Sequence, residues 1–417
     1  MAPAPDGGVY VSIPRSGGSV LVLLDRNGRP RPGWPIEVDA STECGLLLPL
    51  DDGSVRVVCT MENPDGNMFA PISAFALDSQ GRLLAGWPVD LPGTSHTGRV
   101  VGDELTLFAT LAATDVVEEG KPSHEDGFVT VAADGSIRSG VQVPMLHACC
   151  QWAVGPDGVA YGVALVSGLT KGSTEVSRIT ALDPSGVRAG WPIEIDGIAS
   201  GPAFGPGGQI GVTVGSSVRR TSRVLVFDRD GGAVVASSAD LPILTGEIVF
   251  GDGPYEGGLP VPDPPLVTRD GTIFVFSEID PAIFALDPML GVMRGWPYRP
   301  ETPLVSRVAR PNHEGITGRS LAIPAVGPDS TLYLPLQARD ATAGGSLVAA
   351  GPDGKVRPGW PVELTRPGAE FWSVVVGSDG TVYALAVEPE SGGRSSASIL
   401  AIAPDSTVLY TTTIVEP

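Results

Sequence analysis

The chain has 417 residues, of which 55 are Gly and 40 are Pro, and 42% of the residues are hydrophobic. This apolar fraction excludes a disordered chain, so the sequence predicts a folded protein with many tight turns. No apolar stretch approaches the roughly 18 residues of a membrane-spanning helix. The net charge of −20 excludes nucleic acid and anionic membranes as favoured partners, because like charges repel.

A Gly-Trp-Pro motif recurs along the chain, with its tryptophan at Trp34, Trp87, Trp191, Trp296 and Trp360. The spacings are 53, 104, 105 and 64 residues, and the two near 104 are double steps of about 52. Degenerate copies without tryptophan fill the double steps, at residues 133–140 and 227–232. A last copy runs from Phe371 to the end, so the sequence predicts eight units of one repeat.

Each unit contains four apolar runs that are separated by short turns or by a variable loop. Asp-Gly turns such as the one at Asp379 join alternating apolar runs, which is typical of β-hairpins. Four short strands per unit predict a propeller blade. The proline of Gly-Trp-Pro fits the outermost, edge strand, because proline has no N–H for a ladder. We expect the neighbouring tryptophan to pack between adjacent blades.

We therefore predict an all-β protein that is a single eight-bladed β-propeller with four antiparallel strands per blade. The predicted domain covers residues 1–417. The expected blades are approximately 1–40, 41–92, 93–144, 145–197, 198–243, 244–301, 302–365 and 366–417.

An Ala-Leu-Asp signature precedes the second turn of several units, as at Phe75–Asp78 and Ile283–Asp287. This signature, followed by a glycine turn and a tryptophan, resembles the eight-bladed quinoprotein-like (PQQ-like) propellers. That group includes quinone-cofactor alcohol dehydrogenases and cofactor-free outer-membrane assembly lipoproteins of bacteria. The resemblance implies the fold and leaves the activity open, because the matching residues are those that form blades.

In the second blade, Cys44 and Cys59 lie on the first two strands, which are joined by a turn at residues 50–54. Counting outward from this turn places the two cysteines nearly opposite each other, with an uncertainty of one or two residues. A cross-strand disulfide is therefore expected, and paired cysteines favour an oxidising compartment outside the cytosol.

The loops between the second and third strands, and the connections between blades, vary most in length. The longest of these segments are Met61–Pro71, Ala112–Asp126 and Thr245–Pro265. All of them belong to one predicted face of the propeller, whereas the opposite face carries short Asp-Gly turns. Function is expected on the face with the long loops.

The chain contains only four histidines, and all four fall on this predicted face. We place His96 and His147 before the innermost strands of blades 3 and 4, His313 before that of blade 7, and His124 in the long loop of blade 3. Equivalent connections contribute Glu43, Glu247, Glu314 and Glu370. His96, His147 and His313 are candidate ligands for a divalent metal, and His147, His313 and Glu314 are candidate catalytic residues. The alternative interpretation is that loops collect polar residues.

Cys149 and Cys150 are adjacent and precede the innermost strand of blade 4. Quinone-cofactor alcohol dehydrogenases carry such a pair beside their cofactor, and this match rests on the pair and its placement. The following residues, Gln151 and Trp152, depart from the family pattern, and its calcium ligands and catalytic aspartate have no counterpart here. A quinone cofactor is therefore not expected, and two buried thiols are the simpler interpretation.

The leading functional hypothesis is an exported binding or scaffold protein, periplasmic, surface-bound or secreted, with no signal segment within this chain. It would contact a protein, a glycan or a small ligand through the loop-bearing face and the channel mouth, and a monomer is expected. The candidate binding residues are His96, His147, Cys149, Cys150, Glu247, His313, Arg319 and Glu370. The alternative is an enzyme with a histidine-lined site at the channel mouth, either a metal-dependent lyase or hydrolase or a quinoprotein oxidoreductase.

Overall fold

A computed structural model shows how the repeats are arranged. It describes residues 1–414 except 16, 40, 62–70, 92–93, 114–123, 146–150, 168–174, 217–220, 243–245, 250–258, 277–281, 303–305, 309–316, 322–323, 341 and 391–394. Every regular element within these ranges is a β-strand. In the same ranges, no helix is long and apolar enough to span a membrane.

The strands form because apolar residues alternate along them and aspartates close the turns. In Val176–Asp183, buried and partly exposed residues alternate over most of the strand, as expected when the two faces differ. At a typical turn, the Asp78 carboxylate accepts hydrogen bonds from the backbone N–H groups of Gln80 and Arg82 at 2.8 and 3.0 Å. Gly81 has a φ of 75°, a conformation that glycine adopts without steric cost.

Eight antiparallel sheets form the predicted eight-bladed propeller, and the sheet order follows the chain order. Blade 1 contains Ala2–Pro3, Val9–Arg15, Gly18–Leu24 and Ile36–Asp39. Blade 2 contains Ser41–Pro49, Val55–Met61, Ile72–Leu77 and Val89–Leu91. Blade 3 contains Thr94–Val101, Glu104–Ala113, His124–Val131 and Ile137–Met145. Blade 4 contains Gln151–Val154, Ala160–Ser167 and Val176–Asp183, which pairs with both Gly186–Val187 and Ile193–Asp196.

The second half of the chain repeats this layout. In blade 5, Ile198–Ala199 and Ala203–Phe204 both pair with Ile210–Ser216, followed by Thr221–Phe227 and Val234–Ser237. Blade 6 contains Leu266–Val267, Ile273–Phe276 and Ile283–Leu286, and Tyr298 bridges Ile283 at the outer edge. Blade 7 contains Ala325–Val326, Leu332–Leu336, Ser346–Ala350 and Val362–Glu363. Blade 8 contains Glu370–Val376, Val382–Pro389, Ser395–Ile402 and Val408–Ile414.

The core is divided among the interfaces between blades. Each of the eight hydrophobic clusters combines side chains from two successive blades, and one of them joins blade 8 to blade 1. First strands of neighbouring blades contact each other, which places them around the central channel. Blades 1 and 8 each consist of consecutive residues, so the ring closes by blade packing without strand exchange.

The five Gly-Trp-Pro tryptophans lie at these interfaces, as predicted, and are 6–7% exposed. In four of them the indole N–H donates to a backbone carbonyl in the next blade, at 3.0–3.3 Å: Trp34 to Ser79, Trp87 to Ala133, Trp296 to Pro352 and Trp360 to Pro404. The indole N–H of Trp191 is buried without such a partner. The Trp-Pro peptide bonds are cis in all five motifs.

Other residues replace the tryptophan where the motif is missing. Between blades 3 and 4, Trp152 from the innermost strand of blade 4 packs on Phe108, with ring centroids 4.0 Å apart. Between blades 8 and 1, the Tyr410 hydroxyl donates to the Asp25 carbonyl at 3.4 Å. Tyr383 donates to the Gly7 carbonyl across the same interface, and Tyr10 makes the matching contact to Gly53 of blade 2, both at 2.7 Å. The closing interface therefore uses the same kind of contact as an internal one.

A ninth sheet, which the sequence did not predict, connects the two segments that flank blade 6. Its strands are Gly246–Val249, Leu259–Val261, Ser306–Val308 and Thr317–Leu321, and we call it the insertion sheet. The strand Gly246–Val249 pairs with both Leu259–Val261 and Thr317–Leu321. The insertion that begins at Thr245 therefore contains strands of its own. One of them pairs with a strand some 70 residues further along the chain, so local sequence does not reveal the pairing.

The expected disulfide joins Cys44 and Cys59 on the first two strands of blade 2. The register shifts between Glu43, which pairs with Thr60, and Leu46, which pairs with Val58. Cys44 and Gly45 therefore form a bulge opposite Cys59, which explains why counting from the turn left the pairing uncertain by a residue. Both cysteines are buried in the interface between blades 1 and 2.

Asp270 accepts a hydrogen bond across the interface between blades 6 and 7. We expect the stability of the fold to depend on the ionisation of this carboxyl at acidic pH. Burial alone would raise its pKa, but hydrogen bonds from the Thr268 and Ser330 hydroxyls and the Thr272 amide lower the pKa to about 2. A pKa below the unfolded value near 3.8 stabilises the fold above pH 4, and this stabilisation is lost as the pH falls towards 2.

We expect Asp270→Asn to lower the melting temperature at pH 6 and to reduce the further decrease between pH 4 and pH 2. Thermal unfolding followed by circular dichroism at several pH values measures both effects. Asp405→Asn, which alters a turn aspartate without an inter-blade hydroxyl partner, is the control. An unchanged slope between pH 4 and pH 2 in Asp270→Asn would contradict the assignment.

Candidate functional site

The connectivity distinguishes the two faces of the propeller. Each innermost strand begins at the face that carries the blade connections and ends at the first Asp-Gly turn. The loop-bearing face is therefore marked by the first residues of the innermost strands, such as Ser41, Thr94, Gln151 and Glu370. We call the opposite side the turn face.

The structure places several candidates in strands, where the sequence predicted loops or connections. His96 is the third residue of the innermost strand of blade 3, not part of the connection before it. His124 begins the third strand and pairs with Ala113, because the hairpin extends into the predicted loop. Glu43 and Glu370 also lie within innermost strands, close to the loop-bearing face.

His147, Cys149, Cys150, His313 and Glu314 lie outside the described residues. Their convergence with His96 on one metal or catalytic site therefore stays a prediction. Among the residues that the structure describes, no three His, Cys, Asp or Glu side chains are grouped closely enough to hold a metal ion.

Two candidates that are far apart in sequence come together in the insertion sheet. Ile248 pairs with Gly318 and Val249 with Thr317 in an antiparallel register. Glu247 and Arg319 lie on these two paired strands. Sequence reasoning selected both residues but had no signal for the pairing of their strands.

Glu370 is the best-defined candidate, because its side chain lies within the described part of the chain. It begins the innermost strand of blade 8 and is half-buried. Burial raises the pKa of this carboxyl, and a hydrogen bond from the Trp372 indole partly opposes the increase. The ion pairs between described residues include none at Glu370.

Trp372 is a further candidate that sequence reasoning missed. Six of the seven tryptophans are at most 9% exposed, whereas Trp372 is 43% exposed. It occupies a bulge in the innermost strand, between Phe371, which pairs with Ala386, and Ser373, which pairs with Leu385. Its position outside any Gly-Trp-Pro motif did not mark it, because Trp152 also stands outside the motif and is buried.

Cavities open on both faces of the described surface. The first, about 420 Å³, lies on the loop-bearing side of blade 7 and has a mixed polar and apolar lining that includes Gln337, Arg339, Ser346, Glu363 and Leu364. Its neighbour Gly345 donates a backbone hydrogen bond to Ala369, immediately before Glu370. The loop-bearing face therefore combines a cavity of mixed polarity in blade 7 with the exposed Trp372 of blade 8.

The second cavity, about 480 Å³, lies on the turn face between blades 4 and 5. Arg188 reaches Asp157 at 3.4 Å and Asp230 at 3.7 Å across this cavity. The turn face is thus more charged than its short turns suggested. The same Arg–Asp pairing occurs in blade 1 between Arg31 and Asp6, which favours a structural role.

Comparisons with known proteins give information on the fold and none on the activity. No protein-family model matches the chain, and no curated protein matches its sequence. Among solved structures, the chain is similar to a eukaryotic initiation factor, with 11% identity, a TM-score of 0.51 and coverage of 98% of this chain and 96% of that one.

Two bacterial proteins are also similar in structure. A periplasmic gluconolactonase from Pseudomonas aeruginosa has 16% identity and a TM-score of 0.48, covering 86% of this chain and 97% of that one. Virginiamycin B lyase from Staphylococcus aureus has 12% identity and a TM-score of 0.43, covering 81% and 89%. At these identities the likeness concerns the fold alone, and the chain is an eight-bladed β-propeller.

Proposed function

We propose that this propeller is an exported binding or scaffold protein that acts through its loop-bearing face and the mouth of the central channel. The observation that carries the proposal is Trp372, an exposed indole on an innermost strand of a ring in which the other six tryptophans are buried. Exposed tryptophans are frequent anchors of binding sites, because one rigid side chain supplies a large contact area.

The surroundings of Trp372 support a binding role. The half-buried Glu370 lies two residues before Trp372, at the loop-bearing end of the same innermost strand. The cavity of blade 7 opens on the same face, and its lining combines apolar residues with a few polar side chains. Such a mixture is typical of ligand sites.

The proposed location outside the cytosol rests on the Cys44–Cys59 disulfide, because such bonds persist mainly in oxidising compartments. A PQQ-like relationship, a single domain over residues 1–417 and a monomeric state stay predictions. The enzyme alternative depends on His147 and His313, and the experiment below includes the outcome that would favour it.

The seven tryptophans offer a direct test of the binding face. Chain labelled with 5-fluorotryptophan would show seven ¹⁹F resonances, and Trp372→Phe identifies the exposed one. Titration with cationic, anionic and neutral small molecules, short oligosaccharides and peptides is expected to shift the Trp372 resonance and to leave the six buried ones unchanged.

Two outcomes would overturn the proposal. The first is a set of ligands that bind while the Trp372 resonance stays constant, since the binding face would then lie elsewhere. The second is one equivalent of transition metal in purified chain that is lost in both His147→Ala and His313→Ala, or the absorption spectrum of a bound quinone. Either part of the second outcome would favour the enzyme.

A further inference from the structure

The outermost strand of blade 8, Val408–Ile414, differs from the other outermost strands that the structure describes. It has seven residues and contains no proline, glycine or charged side chain. The outermost strands of blades 1, 2, 4 and 7 have two to four residues, follow a Trp-Pro pair and carry a carboxylate. That of blade 3 contains Arg138 and Pro144, and that of blade 5 has only four residues. Short length, proline and charge all prevent an edge strand from pairing with another chain, and blade 8 lacks these three protections.

This edge strand is held in place on its inner side and on one face. Residues 410–414 pair without interruption with residues 397–401 of the preceding strand, after a register shift at Leu409. On the face toward blade 1, the Thr412 hydroxyl donates to the Gly28 carbonyl at 2.7 Å. The strand therefore presents its backbone in a fixed geometry, which lowers the entropy lost when a partner binds.

The outward side of the edge strand offers unpaired backbone groups. It is the last strand of its sheet, and the hydrogen bonds of the described residues include none on its outward side. Backbone N–H and C=O groups alternate between the two sides of an antiparallel strand, so about half of them point away from blade 8. Next to these groups, Val408 and Leu409 are 44% and 52% exposed. Hydrogen-bonding positions and exposed aliphatic side chains thus lie together at the rim of the ring.

The charges around the edge strand favour a positive partner. Asp405 is the described charged residue nearest to the strand in sequence, and its exposed carboxylate takes part in no described ion pair. The chain as a whole carries a net charge of −20. A second copy of the chain would bring two such charges together over seven residues a side, whereas a specific protein interface has about 20–30 residues a side. Repulsion and small area together disfavour a dimer at this edge.

We infer that the edge strand of blade 8 binds an extended, basic segment of a partner polypeptide, which adds a fifth strand to the blade. Main-chain hydrogen bonds supply the affinity in this kind of recognition, and alternate side chains of the added strand supply the specificity. Aliphatic side chains of the segment contact Val408 and Leu409, and its lysine or arginine side chains meet the negative charge of the chain. This surface lies at the rim and is separate from the loop-bearing face, so the inference goes beyond the proposed function.

The first test removes the backbone donors of the partner and leaves its side chains unchanged. Full-length chain is titrated by calorimetry with the peptide Lys-Lys-Thr-Val-Thr-Val-Thr-Lys-Lys, and separately with the same peptide N-methylated at two successive central residues, which blocks both sides of the added strand. We expect the first peptide to bind in a saturable way and the N-methylated peptide to bind at least about tenfold more weakly. A peptide with glutamate in place of each lysine should also bind at least about tenfold more weakly.

The second test locates the bound peptide on the chain. The lysine peptide is expected to slow hydrogen exchange at alternate amides of Val408–Ile414 and to leave the other outermost strands unchanged. The double variant Thr411→Lys, Thr413→Lys places charge on the edge and should weaken the binding of this peptide at least about fivefold. The control is Val234→Lys, Val235→Lys, which adds the same charge to exposed positions on the outermost strand of blade 5 and should bind as the parent does.

Each other result would overturn part or all of the inference. Equal affinity for the N-methylated peptide, or protection confined to a different segment, would overturn strand addition. Equal affinity for the glutamate peptide would overturn the basic partner. A dimer seen by light scattering without peptide, and lost in Thr411→Lys, Thr413→Lys, would show that a second copy occupies the edge. If the lysine peptide does not bind, the inference fails, and the proposed binding face is still judged by the Trp372 resonance.

Discussion

Replacing Trp87 by alanine is expected to lower the free energy of unfolding by about 3–5 kcal/mol, as for other buried tryptophans. Trp87 is 7% exposed and packs among residues of blades 2 and 3. Its N–H donates to the Ala133 carbonyl at 3.1 Å, and the Arg56 guanidinium lies 5.6 Å from the ring centroid. The substitution therefore opens a cavity and leaves the carbonyl without its partner.

Urea unfolding followed by circular dichroism measures this effect, and the chain supplies its own control. Trp372→Ala removes the same side chain from a position that is 43% exposed and is expected to lower the free energy of unfolding clearly less than Trp87→Ala does. Trp87→Phe keeps most of the apolar contact and loses the hydrogen bond, so its effect should be intermediate. Similar losses in Trp87→Ala and Trp372→Ala would show that the inter-blade tryptophans do not hold the ring together.

The second large effect on the free energy of unfolding is expected when the glycine of a Gly-Trp-Pro motif is replaced. Gly86 has a φ of 85°, and a Cβ at this position would overlap the carbonyl oxygen of Asp134 in blade 3. Gly86→Ala is expected to cost about 1–2 kcal/mol for the left-handed backbone and a further 1–3 kcal/mol for displacing the neighbouring blade.

Gly102→Ala separates these two contributions. Gly102 also has a positive φ, 62°, but nothing lies within 4 Å of its Cβ position. It should therefore show the backbone cost alone, about 1–2 kcal/mol. Urea unfolding of the two variants gives the difference, and a loss in Gly102→Ala as large as that in Gly86→Ala would contradict close packing between the turns of adjacent blades.

The close approach at Gly86 explains why Gly-Trp-Pro recurs. The corresponding glycines Gly33 and Gly295 meet the backbone carbonyls of Gln80 and Asp353 in the same way. Only glycine allows the turn of the next blade to approach, and only then does the indole reach the carbonyl beyond it. The motif therefore serves blade packing, and its spacing together with the degenerate and terminal copies predicted the number of blades.

The candidate site was less predictable, because its residues are distinguished by exposure and pairing rather than by type. Trp372 has the same side chain as Trp360, yet a bulge exposes one and an interface buries the other. Glu247 and Arg319 lie on neighbouring strands only because the two segments that flank blade 6 pair with each other. No local pattern encodes either arrangement.

The amino-acid sequence by itself determined the repeat, the four-stranded unit, the role of the five motif tryptophans and the cysteine pair. These features depend on spacings within about 52 residues, which the order of residues records directly. Only the tertiary structure decided that Tyr410 completes the closing interface, that the insertions form a sheet and that one tryptophan remains exposed. Those outcomes depend on which distant segments meet, and the free energy of such contacts belongs to the folded ring rather than to any one segment.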